Sequence, residues 1–173
     1  MSEKEVDEYK KMVNTTKSIT LSLSTNIEIL IEVIISGHYT ITNKEWYAFE
    51  KIFFNEDLEL SFSKKIKMLE RFLKTLYPEV FKENSELINE LNRVRRLRNH
   101  FAHSVNPNAE ELKKIVSKRL LTLFYVEEGR EKTFEISFID INKRLDDFKN
   151  IKNSLQKILE IIKTKKEEDY SNK

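Results

Sequence analysis

Breaks in helical structure are scarce in this chain, which has only two glycines and two prolines among 173 residues. An architecture of many short strands needs many turns, so this scarcity favours long helices. With 39% hydrophobic residues the chain is long enough to bury one core. We therefore predict a single, mainly α domain over residues 1–173, with its core at about 19–162 and a polar, frayed tail at 163–173.

Apolar residues at three- and four-residue spacing predict where the helices lie. Caps and breakers then suggest their ends, because serine and aspartate favour helix starts and proline cannot continue a helix. The predicted helices run from about Ile19 to Gly37, between Thr42 and Leu60, from Ser61 or Ser63 to Pro78, from Asn84 past Val94, from about Leu112 to Val116, and from Asp140 to Ile162.

One segment has a different pattern. Apolar residues from Leu120 to Val126 and an alternating run from Phe134 to Phe138 flank Glu127-Glu128-Gly129-Arg130. Two apolar runs on either side of a short glycine-containing turn, the second of which alternates, predict a β-hairpin. The predicted fold class is thus an antiparallel helical bundle with a small hairpin before the last helix.

Several function classes are excluded by composition. The chain has no cysteine, which removes disulfides, thiolate nucleophiles and cysteine-ligated metals. Its three histidines have no matching carboxylate spacing, so we expect no metal site. Two glycines cannot form a glycine-rich phosphate loop, and no serine-centred elbow is present. We predict no cofactor.

Charge and hydropathy bear on location and partners. The stretch from Glu3 to Glu8 lacks the apolar core of a signal peptide, and the most apolar run, Ile27 to Ile35, is interrupted by Glu28 and Glu32. We expect a soluble, cytoplasmic protein with no membrane partner. The net charge of +2 is nearly balanced, so any site for a polyanion must be a local patch.

The clearest candidate for such a patch is the segment Arg98–His103, with the sequence RNHFAH, hereafter the motif. On a helical wheel Arg98 falls near the middle of an apolar face, which is costly for a charge unless the face borders a polar site. Asn99 and His103 share one side, so the amide is placed to orient the imidazole. Arg98 and His103 lie about 140° apart, so they converge only if the helix ends or a second protomer supplies one of them. The apolar face comprises Leu87, Leu91, Val94, Phe101, Ala102 and Val105.

The pattern Arg98-Asn99-x-x-x-His103 resembles the arginine, polar residue and histidine signature of the HEPN superfamily (higher eukaryotes and prokaryotes nucleotide-binding domain). The family's motif ends a helix in a mostly antiparallel bundle, often after a helix resembling Phe62–Leu69. The resemblance in architecture covers about residues 19–162, whereas the specific signal is confined to the motif.

This resemblance implies a homodimer whose two motifs meet at the interface and, in many members, metal-independent cleavage of RNA. His103 would then transfer protons, Arg98 would hold the phosphate, and Asn99 would fix the histidine or a phosphate oxygen. His100 would be an auxiliary phosphate or base contact, and Arg95 would contact RNA.

Family members frequently act as toxins or antiviral defence factors, which adds a protein inhibitor or antitoxin as a possible partner. One subgroup is regulated by modification of a tyrosine two residues past the motif histidine. This chain has Val105 at that position, so we do not expect that form of regulation.

Two other interpretations remain open. The same residues suit a non-catalytic helical module that binds RNA, a nucleotide or a protein partner. Alternatively, an arginine and a histidine at a helix C-terminus simply complement the helix dipole. The aromatic group between Trp46 and Phe54 is expected to be core rather than a stacking platform for bases.

Overall fold

The computed structural model describes residues 3–40, 44–45, 47–49, 60–105, 120–127 and 130–171. Within these ranges the protein is mainly helical, with a three-stranded antiparallel sheet in the order β1-β2-β3. This confirms the predicted mainly α class and the hairpin before the last helix. The elements are α1 (Glu3–Tyr39), α2 (Phe62–Leu76), α3 (Pro78–Glu83), α4 (Leu87–Ala102), β1 (Ser104–Val105), β2 (Leu120–Glu127), β3 (Arg130–Ser137) and α5 (Phe138–Ser171).

Contacts between residues divide the chain into two compact units. We call Met1–Ser24 with Arg96–Phe148 the sheet unit, because it contains all three described strands. Thr25–Arg95 with Lys149–Lys173 is the helical unit. Each unit is built from two separate stretches of the chain, and the divisions fall inside α1, α4 and α5.

The helical unit has an aliphatic core. Its helices carry leucine and isoleucine at three- and four-residue spacing, which gives each one a continuous apolar stripe. Burying these side chains is the main source of stability that the unit has available. The most deeply buried of them are Ile27, Ile31, Ile34, Ile66, Leu69, Leu73, Leu91, Ile151, Leu155, Ile158 and Ile162.

The ends of α2, α3 and α4 follow from local chemistry. Ser61 is the N-cap of α2 and accepts a hydrogen bond from the Lys64 backbone N–H at 3.4 Å, as predicted from its position. Pro78 ends α2 but also begins α3, because its fixed φ suits the first turn of a helix. The predicted start of the next helix at Asn84 is wrong. Asn84 instead ends α3, with its side-chain amide donating to the Val80 carbonyl at 2.9 Å, and α4 begins at Leu87.

The first helix is longer than predicted at both ends. It begins at Glu3, and buried Tyr9, with half-buried Met12 and Val13, continues toward its start the face that Ile27 buries further along. Ile19, expected in the core, is 41% exposed. The helix also passes Gly37 and ends at Tyr39.

Hydrogen bonds support the extra turn at the end of α1. The ammonium of Lys166 donates to the carbonyl of Gly37, at 2.7 Å, in the last turn of the helix, and to that of Thr40 directly after it. By length and composition α1 is also the one described helix that is able to cross a membrane, a test that core helices pass as well.

The last helix also departs from its predicted limits. Asp140 was expected to cap it, but the helix begins at Phe138. Ser137 accepts a hydrogen bond from the Asp140 backbone N–H at 3.1 Å and donates to its carboxylate at 2.7 Å. The expected frayed tail from Lys163 is helical through Ser171. Lys163 pairs with Glu160 at 3.0 Å, a contact between neighbouring turns that supports helix in a polar sequence.

The sheet of the sheet unit is a hairpin with a short third strand. Leu123 pairs with Phe134. The alternation predicted for the second strand is seen in half-buried Phe134, exposed Glu135 and buried Ile136. In β2, by contrast, Leu121, Thr122 and Leu123 are all buried. The two residues of β1 pair with Tyr125 and Phe124 of β2.

Tyr9 on α1 forms hydrogen bonds with the backbone of β2. Its hydroxyl accepts a hydrogen bond from the Thr122 N–H at 3.1 Å and donates to the Leu120 carbonyl at 3.2 Å. Burial raises the pKa of the Tyr9 phenol; the hydrogen bonds from Thr122 lower it, and the charge of Glu135 raises it, leaving it above its ordinary value.

Some predictions fall mostly or wholly outside the described residues. The helix from Leu112 to Val116 and the turn at Glu128-Gly129 lie outside them, as does most of the aromatic group from Trp46 to Phe54. Of that group, Tyr47 is 56% exposed rather than core, and Phe49 is half-buried.

Candidate functional site

The motif occupies the end of α4 and the turn after it, in the sheet unit. The helix ends at Ala102, His103 lies in the turn, and β1 begins at Ser104. Phe101 is fully buried, as the wheel predicted. Val105 is 56% exposed and does not extend the apolar face, because the chain leaves the helix before reaching it. Leu97, which the wheel left out of that face, is buried.

Arg98 and Asn99 contact each other. The guanidinium Nη1 of Arg98 donates to Oδ1 of Asn99 at 3.4 Å, a long hydrogen bond between neighbouring side chains. Both residues are half-buried. An amide is a neutral acceptor, so the charge of Arg98 is oriented here without being neutralised.

His103 is exposed at the first position after the helix. Its backbone N–H donates to the Asn99 carbonyl at 3.0 Å, which closes the last turn. The expected bond between the Asn99 amide and the His103 imidazole is not among the contacts of the described residues, since Asn99 Oδ1 receives Arg98 instead. The imidazole is thus available to a ligand but is not oriented by Asn99.

His100 belongs to an aromatic cluster with the hairpin. Its ring stacks on Phe134, with centroids 4.5 Å apart and planes 7° from parallel, and meets the ring of Tyr125 at 4.8 Å and 61°. Both partners come from strands, so the sequence of the motif alone gives no sign of this packing. His100 therefore packs the motif against the sheet, and its role as an auxiliary contact to phosphate or base stays a prediction.

Lys17 also reaches the end of the motif, and sequence reasoning missed it. Its ammonium donates to the Ser104 hydroxyl at 3.3 Å, and that hydroxyl donates to the Phe101 carbonyl at 2.8 Å. Lys17 is half-buried on α1, 87 residues away from Ser104 in the chain. No signal in one sequence links residues so far apart, because nothing in the spacing says which helix faces will meet.

Arg95 belongs to the helical unit. It is half-buried, and its Nε atom is buried without a hydrogen-bond partner among the described residues. A buried donor without a partner is costly, so Arg95 is under-satisfied as it stands.

Positive charge is therefore concentrated around the end of α4. In the part of the chain that the structure describes, neither Lys17 nor Arg98 has a carboxylate within ion-pair distance, and the same holds for His103. The described residues also contain no group of three histidine, aspartate or glutamate side chains placed to hold a metal ion. Such an arrangement suits an anion, and phosphate in particular.

The chain matches no protein-family model, no curated protein and no solved structure. The functional argument therefore depends on the residues and geometry of the motif itself.

Proposed function

We propose that this protein is a metal-independent endoribonuclease of the HEPN type, acting as a homodimer whose active site combines Arg98 of one protomer with His103 of the other. One observation carries the proposal. Within the described residues the Arg98 guanidinium is held by the Asn99 side chain, whereas His103 is exposed just beyond the helix end and its imidazole has no hydrogen bond to either side chain. One chain thus offers half of a site in which a second copy is needed to complete the chemistry.

The residues suit cleavage by internal attack. The ribose 2′-oxygen forms a bond to the adjacent phosphorus as its proton passes to a base, and the bond from phosphorus to the 5′-oxygen breaks as that oxygen receives a proton. His103 carries the proton in these steps. Arg98 places a planar pair of donors on the phosphate, where negative charge grows in the transition state. The products are a 2′,3′-cyclic phosphate and a free 5′-hydroxyl.

The non-catalytic binding module is the competing proposal, and it too has support in the geometry. A general base is usually oriented by a second group, and the Asn99 amide does not do this for His103 in the single chain. Saturable, salt-sensitive binding without cleavage of any RNA would favour this alternative.

A mixing experiment tests the shared site. Arg98→Ala and His103→Ala are each expected to lower cleavage of a labelled RNA by about 10²- to 10⁴-fold. When the two inactive variants are unfolded and refolded together, mixed dimers regain one complete site of two, so activity returns to about a quarter of the wild-type value. Cleavage is measured in EDTA, and the product ends are identified by mass spectrometry.

Controls make the outcome specific. Arg93→Ala removes an exposed arginine from the same helix and is expected to keep wild-type activity. Failure of the mixture to recover activity contradicts the shared site, and full activity in both single variants contradicts the ribonuclease.

We further propose a cytoplasmic toxin or defence role held in check by a protein inhibitor. Expression in a host is then expected to slow growth and degrade RNA for the wild type but not for His103→Ala.

A further inference from the structure

Lys17 contacts the residue directly after the motif yet has no role in the mechanism above. Its hydrogen bond to Ser104, at 3.3 Å, joins α1 to the residue directly after His103. Ser104 uses its own proton on the Phe101 carbonyl at 2.8 Å, so its oxygen lone pairs face the ammonium. The hydroxyl thereby holds the ammonium at a fixed place beside the motif.

The ammonium keeps capacity for a ligand. A lysine ammonium has three N–H donors, and Ser104 accepts one of them. The other two have no acceptor among the described residues. A half-buried charge with a single neutral partner is poorly compensated, whereas an incoming anion would compensate it fully.

We propose that Lys17 binds a backbone phosphate of single-stranded RNA next to the scissile position, and that Ser104 positions it for this contact. The identity of the ligand as RNA rests on the proposed function. The phosphate supplies the negative charge that the neutral Ser104 hydroxyl lacks. Lys17 is then a binding residue that adds to Arg98 and takes no part in proton transfer.

Salt dependence of binding tests this directly. Each phosphate contact to single-stranded RNA contributes about 0.7 to the slope of log affinity against log salt concentration. The probe is a fluorescein-labelled, single-stranded RNA 12-mer, and the protein is the full chain with His103→Ala to prevent cleavage. In that background Lys17→Gln is expected to reduce the slope by about 0.7, so the loss of affinity between 50 and 200 mM salt becomes about 2- to 3-fold smaller.

Matched variants separate charge from structure. Lys17→Arg keeps the charge and is expected to keep the slope. Lys11→Gln removes an exposed lysine of the same helix and is expected to change nothing. Ser104→Ala breaks the same hydrogen bond but retains the ammonium, so affinity falls while the slope stays. Circular dichroism and thermal unfolding establish that each variant is folded.

The outcomes divide clearly. The proposal is overturned if the salt slope is unchanged in Lys17→Gln, or if no RNA binding is detected at all. It is also overturned if the slope falls in Lys11→Gln or Ser104→Ala by as much as in Lys17→Gln. Cleavage by the wild type is measured in parallel. If Lys17→Gln lowers the salt slope but the wild type cleaves no RNA, the phosphate contact is supported and the ribonuclease is rejected. If the wild type cleaves RNA but Lys17→Gln leaves the slope unchanged, the ribonuclease is supported and the phosphate contact is rejected.

Discussion

The helical unit and the sheet unit treat half-buried positive charge differently. In the helical unit, Lys65 lies between Glu32 and Glu28, with its ammonium 2.5 and 3.3 Å from their carboxylates. In the sheet unit, Lys17 contacts a hydroxyl and Arg98 contacts an amide, both of which are neutral. The difference predicts that Lys65 contributes to folding, and it is consistent with the proposal that Lys17 and Arg98 bind an anionic ligand.

Among the substitutions that test this difference, Lys65→Met is expected to change the free energy of unfolding most. The substitution leaves Glu28 and Glu32 one helical turn apart, both only 15–17% exposed in their side chains, without their shared cation. We expect a loss of about 3 kcal/mol in the free energy of unfolding, measured with urea by circular dichroism. Arg98→Gln removes a cation that has no carboxylate partner in the described residues, so its effect on stability should be much smaller.

Lys74→Met is the matched control for Lys65. Lys74 pairs with Glu70 at 2.7 Å, but its side chain is 52% exposed, so the loss should stay within about 0.5 kcal/mol. A loss for Arg98→Gln as large as for Lys65→Met would show that the two units do not differ in this way. Equal losses for Lys65→Met and Lys74→Met would show that burial does not strengthen the ion pairs of Lys65.

Tyr9→Phe has the next largest effect and tests the sheet unit for its own source of stability. The substitution keeps the ring but removes the hydroxyl, so the Thr122 N–H and the Leu120 carbonyl lose a partner. We expect a loss of about 2 kcal/mol, because buried backbone groups without partners are costly. The measurement is again unfolding in urea, and hydrogen exchange at Thr122 gives a local check. Exchange at Thr122 as slow in the variant as in the wild type would rule out the proposed role of the hydroxyl.

The smallest expected effect is the dependence of stability on alkaline pH, which tests the ion pairs of Lys65 in the helical unit. Burial lowers the pKa of Lys65, but hydrogen bonds and charges from Glu32 and Glu28 outweigh it, leaving the pKa above its ordinary value of 10.5. The stabilising ion pairs are therefore fully present below pH 10.5 and are lost as pH rises through the higher folded value. The stability difference between wild type and Lys65→Met should be constant from pH 7 to 9 and shrink above that ordinary pKa.

The stability contributed by Tyr9 also falls at alkaline pH, but for a different reason. Its folded pKa is raised above 10.0, so folding favours the neutral phenol, and this contribution is lost as pH rises through the folded value. Tyr9→Phe should therefore be less sensitive to alkali than the wild type. Urea unfolding at a series of pH values measures both differences, and a difference that grows above pH 10.5 for Lys65→Met would contradict the assignment.

Local signals predicted much of the fold. Ser61 and Pro78 marked the ends of α2 because capping and proline geometry act within a few residues. The alternation before Phe138 predicted the hairpin for the same reason. A helical wheel, however, applies only as far as the helix continues. Val105 was placed on the apolar face because the sequence did not show that the helix ends at Ala102.

The candidate site was predictable only in part. The motif itself was visible in the sequence, as were Arg98 and His103 as its polar members. The stacking of His100 on Phe134 and the bond from Lys17 to Ser104 depend on tertiary contacts between distant segments. Neither local spacing nor composition records such contacts, so the structure was needed to find them.

The contact between Tyr9 and Thr122 also constrains the synthesis of the chain. These residues are 113 positions apart, so at about 5–20 residues per second Tyr9 waits roughly 6–23 s after leaving the ribosome for its partner. During that interval the apolar face formed by Val6, Met12 and Val13 lacks the strand that later covers it. The first turns of α1 thus stay uncovered until β2 has been made, and slow translation would lengthen that exposure.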